Sequence, residues 1–530
     1  MADQLRFLPA GSDAFLVELG DLETTLTLLD RLLADRPEGV LELVPAARTV
    51  MVRFDPRVTD QARLCTHMCA FDLGQRSSRQ GEMIEIPVSY DGEDIADVAE
   101  ILGWSVDEVI RRHTEATYTV AFTGFAPGFA YMTSDDPDFD VPRRKSPRVR
   151  IPAGAVALGG KFGGIYPSDS PGGWQLIGTT PLKMWDISRA RAALLAPGDR
   201  VRFREMAKGA VVAAGVLPVP KTAPSATGLV VTRADRPALF QDFGRPGRVD
   251  QGVSESGALD RSGLSEANLS VGNPRNAAAL EIAFGGFAVK VDRPVTLAVT
   301  GAPAPLKITT NDGRSVTAPF GRPFALDAGD ELTLGLPPEG MRSYMALRGG
   351  FAVQPVLGST ATDTLAKVGP APVTAGVVLV PADAHAVAVD PFRHTARSLP
   401  KAGEIVALDV VLGPRTDWFT SKGVETLTAQ VWQVTAESSR VGMRLSGAEP
   451  LERRDAAELP SEGTALGAIQ VPHSGQPVLF LADHPLTGGY PVIGVVARHH
   501  LDLAGQIPIG ANIRFNVVAP FDQIVRETNR

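Results

Sequence analysis

The chain has only two cysteines in 530 residues, Cys65 and Cys69. This scarcity excludes a disulfide framework and predicts a reducing compartment. On a helix the two cysteines share a face while His67 points elsewhere, so we expect no metal ligands here. The first residues, MADQLRFLPAGSDAF, lack the apolar stretch of a secretory signal. We therefore expect a cytoplasmic protein.

Long apolar runs and basic patches are also missing. No window comes near the roughly 18 uninterrupted apolar residues of a membrane span, so we expect no membrane partner. The charge balance is mildly acidic, with 52 Lys+Arg against 60 Asp+Glu, and this argues against a nucleic-acid partner. Arginines do cluster between Pro142 and Pro152, but the prolines among them predict a rigid surface loop.

Several signatures of catalysis and cofactor attachment are absent as well. There is no GxSxG elbow, so nothing supports a serine-hydrolase triad. The segment Gly154–Lys161 resembles a phosphate-binding loop, but its spacing is wrong and Phe162 replaces the Ser or Thr that binds Mg²⁺. Lys183 lies in a sequence similar to a biotin acceptor, but inside a strand rather than at a hairpin tip. We therefore expect no biotin attachment.

The texture of the chain changes along its length. Leucines at helical spacing between residues 22 and 33, an apolar stripe over 59–71 and a capping box at Ser105–Glu108 predict three early helices. After Tyr118, short alternating runs separated by Gly, Pro, Asp and Asn are typical of β-sandwiches and barrels. We predict a mainly β protein with a small α+β N-terminal domain. The predicted units are 1–85 (α+β domain), 86–216 (β-barrel domain), 217–228 (linker), 229–395 (β-rich lobe) and 396–530 (β-barrel lobe).

A long-range repeat is the most informative feature that is present. GGWQLIG begins at Gly172 and GGYPVIG at Gly488, and each is followed by a similar strand, PGDRVRF and IGANIRF. Upstream, RVRIPAGAVALGG from Arg148 corresponds to AIQVPHSGQPVLF from Ala468. Such a separation predicts one structural unit used twice. The paired glycines allow close approach of backbone or ligand, so we predict one composite site between the copies.

Three motifs suit a small-molecule site. Gly124–Tyr131 is a stiff aromatic loop that could form a ligand-facing wall with Tyr131 as its polar end, or only a packed turn. Gly163–Trp174 combines Gly-rich turns with hydroxyls and a carboxylate, which suits a polar ligand held by backbone N–H groups. His473 and Asp483–His484 flank a buried strand and are candidates for an acid–base set, although each histidine alone could be a surface residue.

These motifs resemble a known family over nearly the whole chain. Tyr118–Met132, the proline-spaced arginines with IPAGAV, and GGIYPSDSPGGWQLIGTT resemble the B component of bacterial 5-oxoprolinase, a module also known as allophanate hydrolase subunit 1-like and as a sporulation-kinase inhibitor. Phe240–Asp260, Ala267–Gly286 and Ser438–Gly447 resemble the C component of that enzyme. The chain is therefore similar to a natural fusion of B and C, and also to the carboxyltransferase portion of urea carboxylase.

The resemblance implies a fold, an activity and a partner. The fold would contain cyclophilin-like β-barrels in both halves. The activity would be ATP-dependent opening of the cyclic amide 5-oxoproline to glutamate. It would require a separate A subunit, and this chain would be inactive without that subunit. ATP with Mg²⁺ would be bound by this chain or by that partner. The chain could also form a homo-oligomer.

The candidate residues combine the motifs with the resemblance. The candidate catalytic residues are Asp483, His484, His473 and Tyr166. The candidate substrate-binding residues are Tyr131, Asp169, Gly163, Gly164, Gly172, Gly173, Ser256, Asp260, Thr487, Gly488, Gly489 and Tyr490.

Two other functions remain open at this point. One is a carboxyltransferase-like component that acts on urea or another small amide and needs a separate biotin carrier. The other is a regulatory fusion of a sensor-kinase inhibitor with its antagonist. Tethering these two at a high effective concentration would leave the inhibitor permanently masked, which argues against the regulatory reading.

Overall fold

The computed structural model describes residues 4–74, 81–144, 146, 148–206, 227–393, 397–454, 457 and 459–527. Strands dominate this part of the chain, so the mainly β class is confirmed. Most of the predicted linker 217–228 lies outside the described residues. No helix in the described ranges is long and apolar enough to cross a membrane.

The N-terminal region is an α+β layer, as predicted. Its strands are β1 (Gln4–Pro9), β2 (Ala14–Glu18), β3 (Val40–Pro45) and β4 (Thr49–Phe54), and its helices are α1 (Leu22–Ala34) and α2 (Gln61–Cys69). The side chain of Asp21 accepts a hydrogen bond from the Thr24 N–H and so begins α1. Leu28 and Leu32 on one face of that helix are fully buried in the core over the sheet.

The second region is a curved seven-stranded sheet. Its elements are β5 (Met83–Val88), α3 (Ile95–Leu102), α4 (Val106–Glu115), β6 (Thr117–Thr123), β7 (Ala130–Ser134), β8 (Arg148–Ile151), β9 (Ala155–Gly159), β10 (Phe162–Ile165), β11 (Ser170–Gly172), β12 (Gln175–Thr179) and β13 (Arg200–Glu205). The strand order is β12-β9-β10-β7-β6-β13-β5. Two backbone hydrogen bonds of 2.8 Å between Ser89 and Thr179 link the two outer strands. The predicted helix start is confirmed, since Ser105 accepts from the Glu108 N–H at the start of α4. The Glu108 carboxylate pairs with Arg111, so only the Ser105 half of the capping box forms.

The third region consists of two facing sheets. Its elements are β14 (Leu229–Ala234), β15 (Leu239–Gln241), the 3-10 turn Val249–Gln251, α5 (Arg261–Ser270), β16 (Ala279–Ala283), β17 (Phe287–Val291), β18 (Val295–Gly301), β19 (Leu306–Thr309), β20 (Ser315–Thr317), β21 (Phe324–Leu326), β22 (Glu331–Leu334), β23 (Arg342–Leu347) and β24 (Val378–Leu379). One sheet has the order β20-β19-β22-β17-β14-β24 and the other β15-β16-β23-β18-β21. Alternating apolar side chains from both sheets, such as Val289 and Val299, form a common core.

The fourth region contains a closed barrel, which confirms the barrel predicted for the second half. Its elements are β25 (Ile405–Leu412), the 3-10 turn Thr416–Trp418, α6 (Ser421–Ala429), β26 (Trp432–Val434), β27 (Gly442–Ser446), β28 (Glu462–Gly463), β29 (Ala468–Gln470), β30 (Val478–Phe480), β31 (Thr487–Gly488), β32 (Val492–Val496), the 3-10 turn Arg498–His500, α7 (Leu501–Ala504), β33 (Asn512–Ala519) and β34 (Ile524–Glu527). The barrel order is β25-β32-β29-β30-β27-β26-β33. Trp432 is fully buried in its core.

The second and fourth regions share one topology, which confirms the predicted repeat. In each, the first and last long strands pair in parallel, β5 with β13 and β25 with β33. The remaining strands follow in the same order, with β12 equivalent to β32. The predicted upstream alignment was wrong by one strand, because Ala468–Gln470 is equivalent to Ala155–Gly159 and not to Arg148–Ile151. Both segments precede a Gly-rich turn, so the sequence pattern alone did not separate them.

The two halves of the chain are joined into one body. β34 pairs antiparallel with β1 and so completes the N-terminal sheet, an exchange that the predicted boundaries did not include. The buried Arg415 donates to Glu18 at 2.9 Å and also to Glu462, which ties the N-terminal sheet to the barrel region. This packing brings the two repeat copies face to face.

Candidate functional site

A cavity of about 290 Å³ lies between the two repeat copies. Its wall is Phe125, Phe129, Tyr131, Arg143, Arg144, Tyr166, Pro171, Gly172, Gly173, Trp174, Ser461, Thr487, Gly488, Gly489 and Tyr490. The first ten residues belong to the first half of the chain and the last five to the second. We call this space the composite cavity. A cavity of this size, largely aromatic with a few polar groups, suits a small ligand.

One side of the composite cavity is an aromatic wall. The Phe129 ring lies 5.4 Å from the rings of both Tyr166 and Trp174, in edge-to-face contacts. Gly164 permits this packing, because a Cβ there would lie 2.9 Å from Phe129 and 3.0 Å from Trp174. Burial raises the pKa of Tyr166, so at neutral pH its hydroxyl is protonated and can donate a hydrogen bond.

A strained turn connects the aromatic wall to the second half of the chain through a hydrogen bond. Phe125 has a φ of 61°, an uncommon conformation for a bulky residue. Its N–H donates to Oγ1 of Thr487 over 3.1 Å. At the preceding position a Cβ would lie 2.4 Å from the same oxygen, so Gly124 is required for this approach. The aromatic loop of the first copy is thus fixed against the glycine turn of the second.

Three hydroxyls complete the polar part of the wall. Tyr131 and Ser461 approach within 3.3 Å of each other, between their hydroxyl oxygens. The carbonyl of Ser461 accepts a hydrogen bond from the Ala47 N–H, so the N-terminal region also supports this residue. Together with Thr487, these groups can donate to or accept from an amide.

Two arginines in the cavity wall were not among the predicted site residues. Arg144 forms an ion pair with Asp94, which is 1% exposed. Asp94 also accepts from Arg148 and from the Leu176 N–H at 2.7 Å. Burial opposes ionisation of Asp94, but these donors outweigh it and lower its pKa. Arg143 precedes this ion pair in the same loop. The sequence carried a signal for it, in the proline-spaced arginines.

The structure brings half of the predicted residues into the composite cavity. They are Tyr131, Tyr166, Gly172, Gly173, Thr487, Gly488, Gly489 and Tyr490. Gly163 and Gly164 lie behind the wall in β10, paired to β9, so they form no anion cradle. Asp169 lies outside the lining and forms an ion pair with Arg150, with 2.7 Å between Oδ2 and Nη2. His473 lies against the Tyr490 ring, 5.4 Å between centroids, and is also outside it.

Asp483 and Ser256 belong to a buried network away from the composite cavity. Oγ of Ser256 donates to Asp483 over 2.6 Å, and Arg440 donates to both carboxylate oxygens at 3.0 Å. Arg440 also pairs with Glu281 of the facing sheets. Burial opposes ionisation of Asp483, but Arg440 outweighs it and lowers its pKa. This network joins the barrel region to the facing sheets.

Asp260 serves a helix end. Its side chain accepts from the Gly263 N–H at 2.8 Å and begins α5. It also pairs with Arg397 and accepts from Gln506, and it is fully buried. Asp260 lines neither the composite cavity nor a second cavity, which His484 lines.

His484 and Ser256 line a second cavity, of about 410 Å³. Nδ1 of His484 lies 2.9 Å from the carbonyl oxygen of Pro485. Burial lowers the pKa of His484, so the ring is neutral at pH 7 and its Nδ1 donates to that carbonyl. The proposed acid–base pair is therefore split, because Asp483 is in the buried network and His484 faces this second cavity.

The donors of the composite cavity define its chemistry. Its wall holds hydroxyls, glycine backbone and guanidinium groups, and no Asp, Glu or His is found among the described residues of the lining. Such a set binds an anion or an amide oxygen. It does not fit Mg²⁺, which is usually bound through carboxylates.

Models of one protein family match both halves of the chain. The model described as carboxyltransferase domain, subdomain C and D, matches residues 5–195. The model described as carboxyltransferase domain, subdomain A and B, matches residues 251–517.

Relatives and solved structures agree with these matches. The C component of 5-oxoprolinase from Escherichia coli K12 is 35% identical over 54% of this chain and 90% of its own length. The B component of 5-oxoprolinase from Escherichia coli O157:H7 is 45% identical over 24% of this chain and 61% of its own length. The crystal structure of the protein TTHA0988 superposes with a TM-score of 0.81 at 33% identity, over 95% of this chain and 99% of that one. The arrangement of both halves in one chain is therefore shared with a solved protein.

Proposed function

The chain belongs to the carboxyltransferase-domain family, and from that premise we propose that it is the fused B–C component of an ATP-dependent 5-oxoprolinase. One observation carries the proposal: relatives of the two halves are named as the C and B components of the same enzyme. The composite cavity agrees with it, because both halves line that cavity. A site made from both modules explains why they would be fused. We further propose a cytoplasmic location.

The reaction class sets what the cavity must do. Transfer of the γ-phosphoryl group of ATP to the amide oxygen releases ADP and makes the ring carbon more electrophilic. Water then adds at that carbon, and the C–N bond breaks as the nitrogen takes up a proton. The resulting acyl phosphate is hydrolysed by a second water to glutamate and phosphate. The hydroxyls of Tyr131, Ser461 and Thr487 are placed to hold the amide. The aromatic wall restricts bulk water, which strengthens these hydrogen bonds.

We propose that an A-subunit-like protein supplies the nucleotide site, with Mg²⁺ bound there. The described residues that line the composite cavity include no carboxylate for the metal, and the sequence between Gly154 and Lys161 is not a phosphate-binding loop. On this proposal the B–C chain alone is inactive.

The experiment measures glutamate release from 5-oxoproline. The purified chain, its host's A-subunit-like protein, and their mixture are each tested with and without ATP. The proposal expects release only from the mixture with ATP. If an A protein that is active in another complex gives no release with this chain, the proposal is wrong.

The carboxyltransferase description of the family favours a second candidate, a component that acts on urea or a related amide. It would transfer a carboxyl group from carboxybiotin carried by another protein. Carboxylation of urea by the purified chain with added carboxybiotin would support this candidate, and its absence alongside ATP-dependent glutamate release would exclude it.

A further inference from the structure

The composite cavity has a one-sided charge. Among the lining residues that the structure describes, Arg143 and Arg144 are cationic and none is acidic. Charges in a partly enclosed, aromatic space are poorly screened by water. A cavity of this kind favours an anionic ligand over a neutral one.

Arg144 is paired with a carboxylate, whereas Arg143 has no such partner among the described residues. Arg144 pairs with Asp94 at 2.6 Å. For Arg143, no carboxylate within the described part of the chain lies at ion-pair distance. Its guanidinium carbon lies 5.9 Å from the centre of the Trp174 ring. Nη1 of Arg143 is 3.4 Å from the position that a Cβ on Gly489 would take. The guanidinium is therefore between the glycine turns of the two repeat copies.

The loop that carries Arg143 is held firmly in place. The next residue, Arg144, donates its backbone N–H to the Gly173 carbonyl at 2.7 Å. Asp94 binds the side chains of Arg144 and Arg148 together with the Leu176 N–H. Because the backbone of the adjacent Arg144 and its side chain are both held, little ordering of Arg143 is needed when a ligand binds.

We infer that Arg143 binds the carboxylate of a small carboxylated substrate and selects it over neutral amides. A guanidinium can bind a carboxylate through two parallel hydrogen bonds, which gives both affinity and orientation. The inference rests on the proposed function and deepens it, because 5-oxoproline carries a carboxylate beside its lactam and urea carries none. Arg143 is then the residue that distinguishes the two candidate substrate classes.

The test compares 5-oxoproline with 2-pyrrolidinone, the same lactam ring without the carboxylate. Binding to the purified full chain is measured by calorimetry, because the residues that line the composite cavity all belong to this chain. We expect the wild-type chain to bind 5-oxoproline more tightly than 2-pyrrolidinone. Arg143→Gln should weaken the binding of 5-oxoproline by about 10- to 100-fold, because a charged hydrogen bond is lost. Binding of 2-pyrrolidinone should not change, and Arg143→Lys should restore part of the preference.

Arg111→Gln is the matched control, since Arg111 is an exposed arginine on α4 that pairs with Glu108 and Glu115. It should bind both lactams as the wild type does. Equal or undetectable binding of both lactams by the wild type, or a preference kept by Arg143→Gln, would overturn the inference. Failure of the proposed function looks different: the carboxylate preference would depend on Arg143, but no glutamate would be released with the A protein.

Discussion

Tyr131 and Ser461 are 330 positions apart in the chain, and their hydroxyl oxygens are 3.3 Å apart in the wall of the composite cavity. Tyr131 belongs to the first repeat copy, and Ser461 is supported by the N-terminal region through the Ala47 N–H. The contact therefore reports directly on how well the two halves are docked.

The first prediction concerns this contact. We expect Tyr131→Phe and Ser461→Ala each to raise the KM for 5-oxoproline, and the double variant to lose less than the sum of both, because each change breaks the same hydrogen bond. A coupling free energy of about 0.5–1.5 kcal/mol is expected from kcat/KM in a double-mutant cycle. Fully additive losses would show that the two hydroxyls act separately.

The second prediction concerns the glycine turn of the first copy. A Cβ at Gly172 would lie 2.3 Å from the Tyr166 hydroxyl oxygen and 2.8 Å from Ile151. We expect Gly172→Ala to displace Tyr166 and to weaken 5-oxoproline binding at least tenfold, because the aromatic wall is tightly packed. Calorimetric titration checks this.

Gly20→Ala is the control for that substitution, since no atom of the described residues lies within 4 Å of a Cβ at Gly20. Binding by Gly20→Ala should match the wild type. Unchanged binding by Gly172→Ala would show that the turn is not part of the ligand site.

The third prediction separates support from catalysis at Asp483. Asparagine there would leave the buried Arg440 only partly paired, so we expect Asp483→Asn to lower the free energy of unfolding by about 3–5 kcal/mol. Urea denaturation followed by circular dichroism measures this. Asp169→Asn, at an exposed ion pair, should leave the denaturation midpoint unchanged. A stable but inactive Asp483→Asn protein would instead place Asp483 in the chemistry.

The fourth prediction concerns the neighbouring Asp363. Burial, and then the Asp483 carboxylate, raise the pKa of Asp363 to about 7. An unfolded Asp titrates near pH 4. Between these values the unfolded chain binds fewer protons, so the free energy of unfolding should fall as pH rises.

Asp363→Asn removes this titration and keeps an oxygen that can accept from the Leu365 and Ala366 N–H groups. Urea unfolding at pH 5 and pH 8 should therefore show a smaller decrease in the variant than in the wild type. The same decrease in both proteins would contradict the assignment.

The sequence was sufficient for the mainly β class, the early helices and the repeat, because these depend on local periodicity and turn residues. It did not predict α3 (Ile95–Leu102) or the pairing of β34 with β1, which joins segments at opposite ends of the chain. Distant strand pairing depends on packing that no local pattern records.

The candidate site shows the same division. The glycine turns and Tyr131 were found because the repeat marked them. Asp483 was chosen for its residue type, yet its carboxylate already accepts hydrogen bonds from Arg440 and Ser256. Ser461 gave no local signal, and Arg143 was interpreted as surface loop because only the folded chain places it opposite Gly489.

The pairing of β34 with β1 also has a consequence while the chain is being synthesised. Residues 4–9 leave the ribosome more than 500 residues before their outer partner strand, 524–527. Until then the N-terminal sheet has an open edge, which can pair wrongly with other chains. The growing protein therefore exposes the edge of β1 throughout the synthesis of the residues between these two strands.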